Sequence, residues 1–197
     1  MDIIKYGDFK PLGKQKKKRQ IILTHTGRNV ENYLASLRYR YNGKYTKIPN
    51  FVITKEGKIL QLLENIEHSN FFSEININRN SIIICLENLG WLEKQPLENN
   101  YVNWIGDIYK GKTFERKWRD YFFWEPYSQT QIESLTFLCK NLIKEMKIDG
   151  GVIEHNTKIN DIQNFKGIVT RSNYDTIFTD LSPAFNFDEF TKKLYDE

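Results

Sequence analysis

The chain holds three histidines, and two of them close short apolar runs. His25 follows Ile21-Ile22-Leu23-Thr24, and His155 follows Val152-Ile153-Glu154. Each run reads as a short strand, and open α/β sheets place their sites at the carboxyl ends of such strands. A single histidine there more often caps or packs than ligates. Two of them, joined by Asp180 just ahead of the turn Leu181-Ser182-Pro183, make a richer set. Two imidazoles and one carboxylate match the donors of a catalytic zinc with a fourth position open for water. Zinc polarises a carbonyl and lowers the pKa of its bound water to about 7.

Positioning such a set requires strands and helices in a definite order. Asn29 is placed to cap a helix through Val30, Tyr33, Leu34 and Leu37, which recur at helical spacing. Phe51-Val52-Ile53 and Ile59-Leu60-Gln61-Leu62, around Lys55-Glu56-Gly57-Lys58, predict a β-hairpin. The run from Ser81 to Leu86 is so continuously apolar that it predicts a central strand covered on both faces. From about 91 to 127 no period is visible, and the segment reads as an excursion packed down by Tyr121-Phe122-Phe123-Trp124. Ser128 and Gln131 form a capping box that opens a helix through Ile132, Leu135, Leu138 and Leu142. A closing helix spans about Phe187 to Tyr195. This order predicts an α/β fold in one domain, a central mixed β-sheet flanked by helices. Residues 1–20 read as a basic N-terminal arm, and 21–197 as the domain itself.

Composition narrows the function classes. With 197 residues and 40% apolar content, the chain is long and apolar enough for a buried core, which excludes a disordered protein. No apolar run reaches membrane-spanning length. Met1-Asp2-Ile3-Ile4-Lys5-Tyr6 lacks a secretory pattern, so a cytoplasmic location at synthesis is expected. The net charge of +4 is mild and concentrated at Lys14, Lys16, Lys17, Lys18 and Arg19. That run reads either as a solvated arm or as a contact for an anionic partner. Cys85 and Cys139 lack metal or redox spacing and read as buried thiols.

Taken in order, these motifs resemble the zinc-dependent N-acetylmuramoyl-L-alanine amidases of the peptidoglycan-recognition-protein and phage-endolysin type. The matching segments are Ile21 to Thr26, the hairpin from Asn50 to Ile59, and the cleft pair His68-Ser69. They continue with Asn78-Arg79-Asn80-Ser81-Ile82, the helix from Gln131 leading to His155, and Thr179-Asp180-Leu181-Ser182-Pro183-Ala184-Phe185. The resemblance covers about Ile21 to Phe190. It implies Zn2+ held by His25, His155 and Asp180, with His68, Asn50 and Tyr174 toward the substrate. His68 also reads as a loop histidine paired with Glu67 or Glu64. The implied reaction is zinc-dependent hydrolysis of the amide between N-acetylmuramic acid and L-alanine, as in bacteriolytic endolysins and wall-recycling enzymes. The implied partner is peptidoglycan or a muropeptide, bound by a monomer, with no nucleic acid expected. If phage-encoded, the enzyme would reach the wall through a holin.

Two family positions differ here. A frequent Tyr is replaced at Pro49, and a frequent oxyanion-stabilising Lys at Phe178, whose ring donates no hydrogen bond. Some relatives use a Glu on the central strand, where this chain has Cys85, and Glu87 follows on the same face. Glu87 is therefore the expected general base, or else a strand-end acid in an ion pair. Arg171 is the expected replacement for the missing Lys, or else an exposed loop cation. Thr26 and Asn156 are placed to orient the ligands, and Trp104, Trp118 and Trp124 read as packing before sugar platforms. The alternative function is a non-catalytic peptidoglycan-binding module on the same fold. A further one, an endolysin-like protein with a protein or nucleic-acid partner, rests on the basic run alone.

Overall fold

The structure, a computed structural model, describes residues 1–98, 100–148, 150–154 and 157–196. The first half of the chain supplies β1 (Ile3–Lys5), β2 (Gly13–Lys14), β3 (Gln20–His25), α1 (Val30–Tyr39), β4 (Phe51–Ile53) and β5 (Ile59–Gln61). It continues with β6 (Glu67–His68), α2 (Ile75–Asn80) and β7 (Ser81–Leu86). A second group comprises β8 (Trp91–Lys94), β9 (Tyr101–Val102), β10 (Ile108–Tyr109), β11 (Phe114–Trp118) and β12 (Tyr121–Trp124). The chain closes with α3 (Gln129–Met146), β13 (Gly167–Thr170) and α4 (Phe187–Tyr195).

Six strands form the central sheet in the order β1-β5-β4-β7-β3-β13. Only the β4–β5 hairpin is antiparallel; the other neighbours run parallel. The fold is thus the expected mixed α/β domain. Side chains alternate across the sheet. Ile21, Leu23, Ile82, Ile84 and Leu86 pack with Leu135, Leu138 and Leu142 of α3 and with Phe190 and Leu194 of α4. Val52 and Cys85 face Val30, Leu34 and Leu37 of α1, while Ile22, Ile83 and Val169 pack with Ile77 of α2. Both faces are covered, which is why β7 reads as an unbroken apolar run.

The local signals act as they should. Asn29 Oδ1 accepts from the Asn32 N–H at 2.8 Å, which starts α1. Ser128 and Gln131 complete a reciprocal capping box at α3. That helix stops at Met146, with Lys147 in the left-handed conformation. Among the described residues, no helix is long and apolar enough to cross a membrane.

Three features differ from the sequence reading. Residues 91–124 form a second, five-stranded antiparallel sheet in the order β10-β9-β8-β12-β11, where an irregular excursion was expected. Its strands are two to five residues long, too short for a visible period. Near 152–155 the described residues show a single bridge, Val152 to Ile168, in place of a strand. β3 lies between two parallel partners, β7 and β13. The basic N-terminal stretch also joins the body. β1 forms the edge of the central sheet, β2 pairs with β6, and Lys18 is 2% exposed. Lys18 Nζ donates to the carbonyls of Glu67 and Arg79, each at 3.1 Å. Burial lowers its pKa from 10.5 to about 8.

Candidate functional site

The carboxyl ends of β3 and β7, the first turns of α1 and the segment after β13 meet at a cleft of about 320 Å³. Its floor carries His25, Thr26, Arg171 and Thr179. One wall comes from α1 and the loop after it, with Tyr33, Arg40, Tyr45 and Lys47. Trp91 and Trp104, from the second sheet and its β9–β10 loop, complete the lining. Four cations line the cleft (Arg28, Arg40, Lys47 and Arg171), and none of the described lining residues is acidic. Such a concave basic surface attracts anionic ligands.

His25 ends β3 with its Nδ1 3.4 Å from the Tyr127 hydroxyl. Burial lowers the imidazole pKa to about 4, against the opposing pull of Asp180, so the ring is a neutral donor at pH 7. Gly90 (φ +81°) passes directly over it: a Cβ there would lie 2.9 Å from His25 Cε1 and 3.0 Å from Nε2. Only glycine accommodates both the left-handed backbone and this approach.

Asp180 lies beside β3, fully buried. Thr24 Oγ1 donates to its Oδ2, and Arg171 holds it with two groups, Nη2 to Oδ1 at 3.0 Å and Nε to Oδ2 at 2.9 Å. Burial alone pushes the carboxyl pKa up. Arg171, His25 and the Thr24 hydrogen bond outweigh it and hold the group below its usual 3.8. Arg171 is in turn fixed by the short helical turn Arg171–Asn173, which Thr170 and Asn173 cap reciprocally. Its guanidinium lies 4.2 Å from the Phe178 ring centroid. Phe178, at the position of the family lysine, thus supports a cation from elsewhere.

The cleft therefore brings His25 and Arg171 together, with Asp180 bonded behind them. His155 and Asn156 lie outside the described residues. Thr26 takes a different part from ligand orientation: its hydroxyl donates to the Arg28 carbonyl and accepts from the Asn88 N–H.

The other expected site residues stand away from the cleft lining. Glu87 is 5% exposed and faces α1, with Oε1 accepting from the Val30 N–H and Oε2 from the Lys55 N–H, both at 3.0 Å. It ties α1 to the hairpin turn. Asn50 donates to the carbonyls of Glu64 and Glu67 and accepts from the Ile83 N–H, clamping β7 to the loop before β6. His68 is buried in the β2–β6 ladder against Gly13. Tyr174 donates to Gln20 and packs on Phe72, on the α2 side of the sheet. Each of the four sits where strand alternation or a loop turns it from the cleft.

Tyr33 and Trp91 are the cleft residues that the sequence reading did not single out, while Trp104, read there as packing before a sugar platform, lines the cleft. The Tyr33 hydroxyl lies 3.4 Å from Cys85 Sγ, so α1 fills the space in front of that cysteine. Burial raises the Cys85 thiol pKa to about 12, which keeps it protonated. The signal was present in the helix pattern: Tyr33 is the polar-tipped member of the stripe that includes Val30, Leu34 and Leu37.

The donors near Asp180 suit a zinc ion chemically. A neutral imidazole and an ionised carboxylate stand at one strand end, and the third expected donor, His155, lies outside the described residues. Among the described residues no cluster of three or more His, Cys, Asp or Glu is gathered for a metal. Arg171 shares the Asp180 carboxylate that such an ion would use.

A family model described as N-acetylmuramoyl-L-alanine amidase (Amidase_2) matches residues 14–168. Arg171 and Asp180 lie beyond that match. Among solved structures, the chain is similar to the amidase LysC from Clostridium intestinale URNW. That pair shares 13% identity at a TM-score of 0.59, covering 100% of this chain and 99% of the other. It is also similar to the amidase AmiD from E. coli, solved with anhydro-N-acetylmuramic acid-L-Ala-D-gamma-Glu-L-Lys. Identity there is 18% and the TM-score 0.54, with 92% and 59% of the two chains covered. The Ph2119 endolysin, from a bacteriophage of Thermus scotoductus MAT2119, gives 13% identity and a TM-score of 0.53 over 98% and 99%. At these identities the likeness is one of fold. No curated protein matches the chain in sequence.

Proposed function

The chain belongs to the N-acetylmuramoyl-L-alanine amidase family, and on that premise we propose that it hydrolyses the amide between N-acetylmuramic acid and L-alanine in peptidoglycan or its fragments. The observation that carries this reading is the meeting of His25, Asp180 and Arg171 at the carboxyl edge of the sheet, in a cleft whose charged lining residues, among those described, are all cations. The stem peptide of peptidoglycan bears carboxylates, and Arg40 and Lys47 stand where those charges would be met.

His25, His155 and Asp180 would hold zinc, which when bound supplies carbonyl polarisation and an activated water. Thr24 and Arg171 keep Asp180 ionised and oriented for that task. Arg171 uses Nε and Nη2 on Asp180, and its Nη1, which makes no hydrogen bond among the described residues, would face oxygen charge developing on the substrate. Glu87 acts as a positioning residue through α1 and the hairpin turn.

A second reading, a peptidoglycan-binding module without turnover, is favoured by one observation. Asp180 is paired with the chain's own guanidinium. Dye release from labelled peptidoglycan separates the two. We expect release by zinc-loaded protein that disappears with a chelator and in His25→Ala. Cosedimentation with peptidoglycan without any release would establish the binding module. Undiminished release by His25→Ala would remove the assigned site.

A further inference from the structure

We propose that the second sheet is the glycan-facing wall of the cleft, and that Trp104 is its saccharide-stacking residue; this rests on the peptidoglycan reading above. Trp104 sits at the tip of the β9–β10 loop, far in sequence from the strand end it reaches. Its indole Nε1 donates to the Gly27 carbonyl at 2.9 Å, and Asn103 Nδ2 donates to the same oxygen at 3.1 Å. Gly27 has φ +68°, and a Cβ there would lie 3.1 Å from the indole nitrogen. Asn103 also folds the tip on itself, its Oδ1 accepting from the N–H groups of Ile105 and Asp107.

The tip is thus built to hold one ring in one orientation. Yet the ring is not used for packing, because Trp104 remains 54% exposed while lining the cleft. An indole fixed by its own N–H, with the Arg28 guanidinium over one face and 54% of its surface still exposed, cannot be explained as core. With the N–H already engaged, what it offers a ligand is a flat π-surface. The polarised C–H groups on one face of a pyranose ring meet the negative face of an aromatic ring favourably. Arg28 lies 5.3 Å from the same ring centroid and supplies donors for hydroxyl or acetamido oxygens. Trp91, stacked on Tyr121 at 4.3 Å, extends the wall toward His25.

The two walls then divide the substrate. Arg40 and Lys47 suit an acidic peptide, whereas the tryptophan wall suits an uncharged amino-sugar chain. In this arrangement the scissile amide lies beside His25, between them.

The probe is the β-1,4-linked trisaccharide of N-acetylglucosamine, followed by calorimetry on the full chain, beside kinetics on polymeric peptidoglycan. Wild type should bind the trisaccharide, Trp104→Ala should weaken binding about tenfold or more, a loss of about 1.4 kcal/mol, and Trp104→Phe should retain most of it. On the polymer, Trp104→Ala should raise KM with little change in kcat. No binding by wild type, equal binding by Trp104→Ala, or equal loss in Phe and Ala variants would overturn the assignment. Trisaccharide binding that needs Trp104 in a protein without hydrolysis would keep this site and end the amidase reading. Hydrolysis indifferent to Trp104 would do the reverse.

Discussion

At residue scale the site is organised around one buried carboxylate and the groups that keep it charged. Asp180 has no exposed surface, and Arg171, whose side chain is 27% exposed, is its cationic partner. Breaking a buried pair from one side strands the other charge. Arg171→Ala should therefore cost about 2–3 kcal/mol, below the usual range because Arg171 is partly solvated; chemical denaturation measures it. Glu87 is the sharper case. Its oxygens serve two backbone N–H groups, and Gln at that position faces one of them with a donor. Glu87→Gln should cost about 2 kcal/mol of stability and leave kcat within about tenfold. A loss of kcat by 10²-fold or more at unchanged stability is what a proton acceptor would give. The placement of His25 and Arg171 in one cleft, with Asp180 paired to Arg171, was readable because each closes a strand or stands in a turn-bounded polar segment. Asn50, His68 and Tyr174 were less so, since whether a loop side chain turns inward depends on partners distant in sequence.

The elements follow local chemistry closely wherever the signal is local. The caps at Asn29 and Ser128 are read directly from side chains that compete for helix N–H groups. Ser128→Ala removes half of the capping box, and its hydroxyl also donates to the Lys55 carbonyl. It should lower stability by about 1 kcal/mol in thermal or urea unfolding. The N-terminal stretch was harder to read, because a lysine run gives no hint that one member is buried. Lys18 is enclosed by the carbonyls of Glu67 and Arg79, with His68 as a titratable neighbour. Its folded pKa of about 8 lies below the ordinary 10.5. Between those values the unfolded chain binds more protons, so stability rises with pH, by at most ~1.4 kcal/mol per pH unit from this group. Urea unfolding from pH 8 to 9.5 should show the rise in wild type and lose it in Lys18→Met. The second sheet escaped the sequence reading for a different reason. Its short strands pair with one another across turns, and no single strand carries enough alternation to declare itself.

The whole molecule is a parallel-rich sheet covered on both faces, with the candidate cleft where the carboxyl ends of β3 and β7 meet α1 and the inserted sheet. That location was legible, since strands ending in polar residues place a site at one edge. The walls were not, because Trp104 reaches the cleft through tertiary contacts to Gly27 and Arg28, far away in sequence. The account stands on the identity of the bond broken. Mass spectrometry of peptidoglycan digested by zinc-loaded protein, beside an Asp180→Ala digest, reads it directly. We predict free L-alanine amino termini and intact glycan strands with wild type, and neither product above background with Asp180→Ala. Cleavage within the peptide or between sugars, or equal digestion by Asp180→Ala, would contradict it.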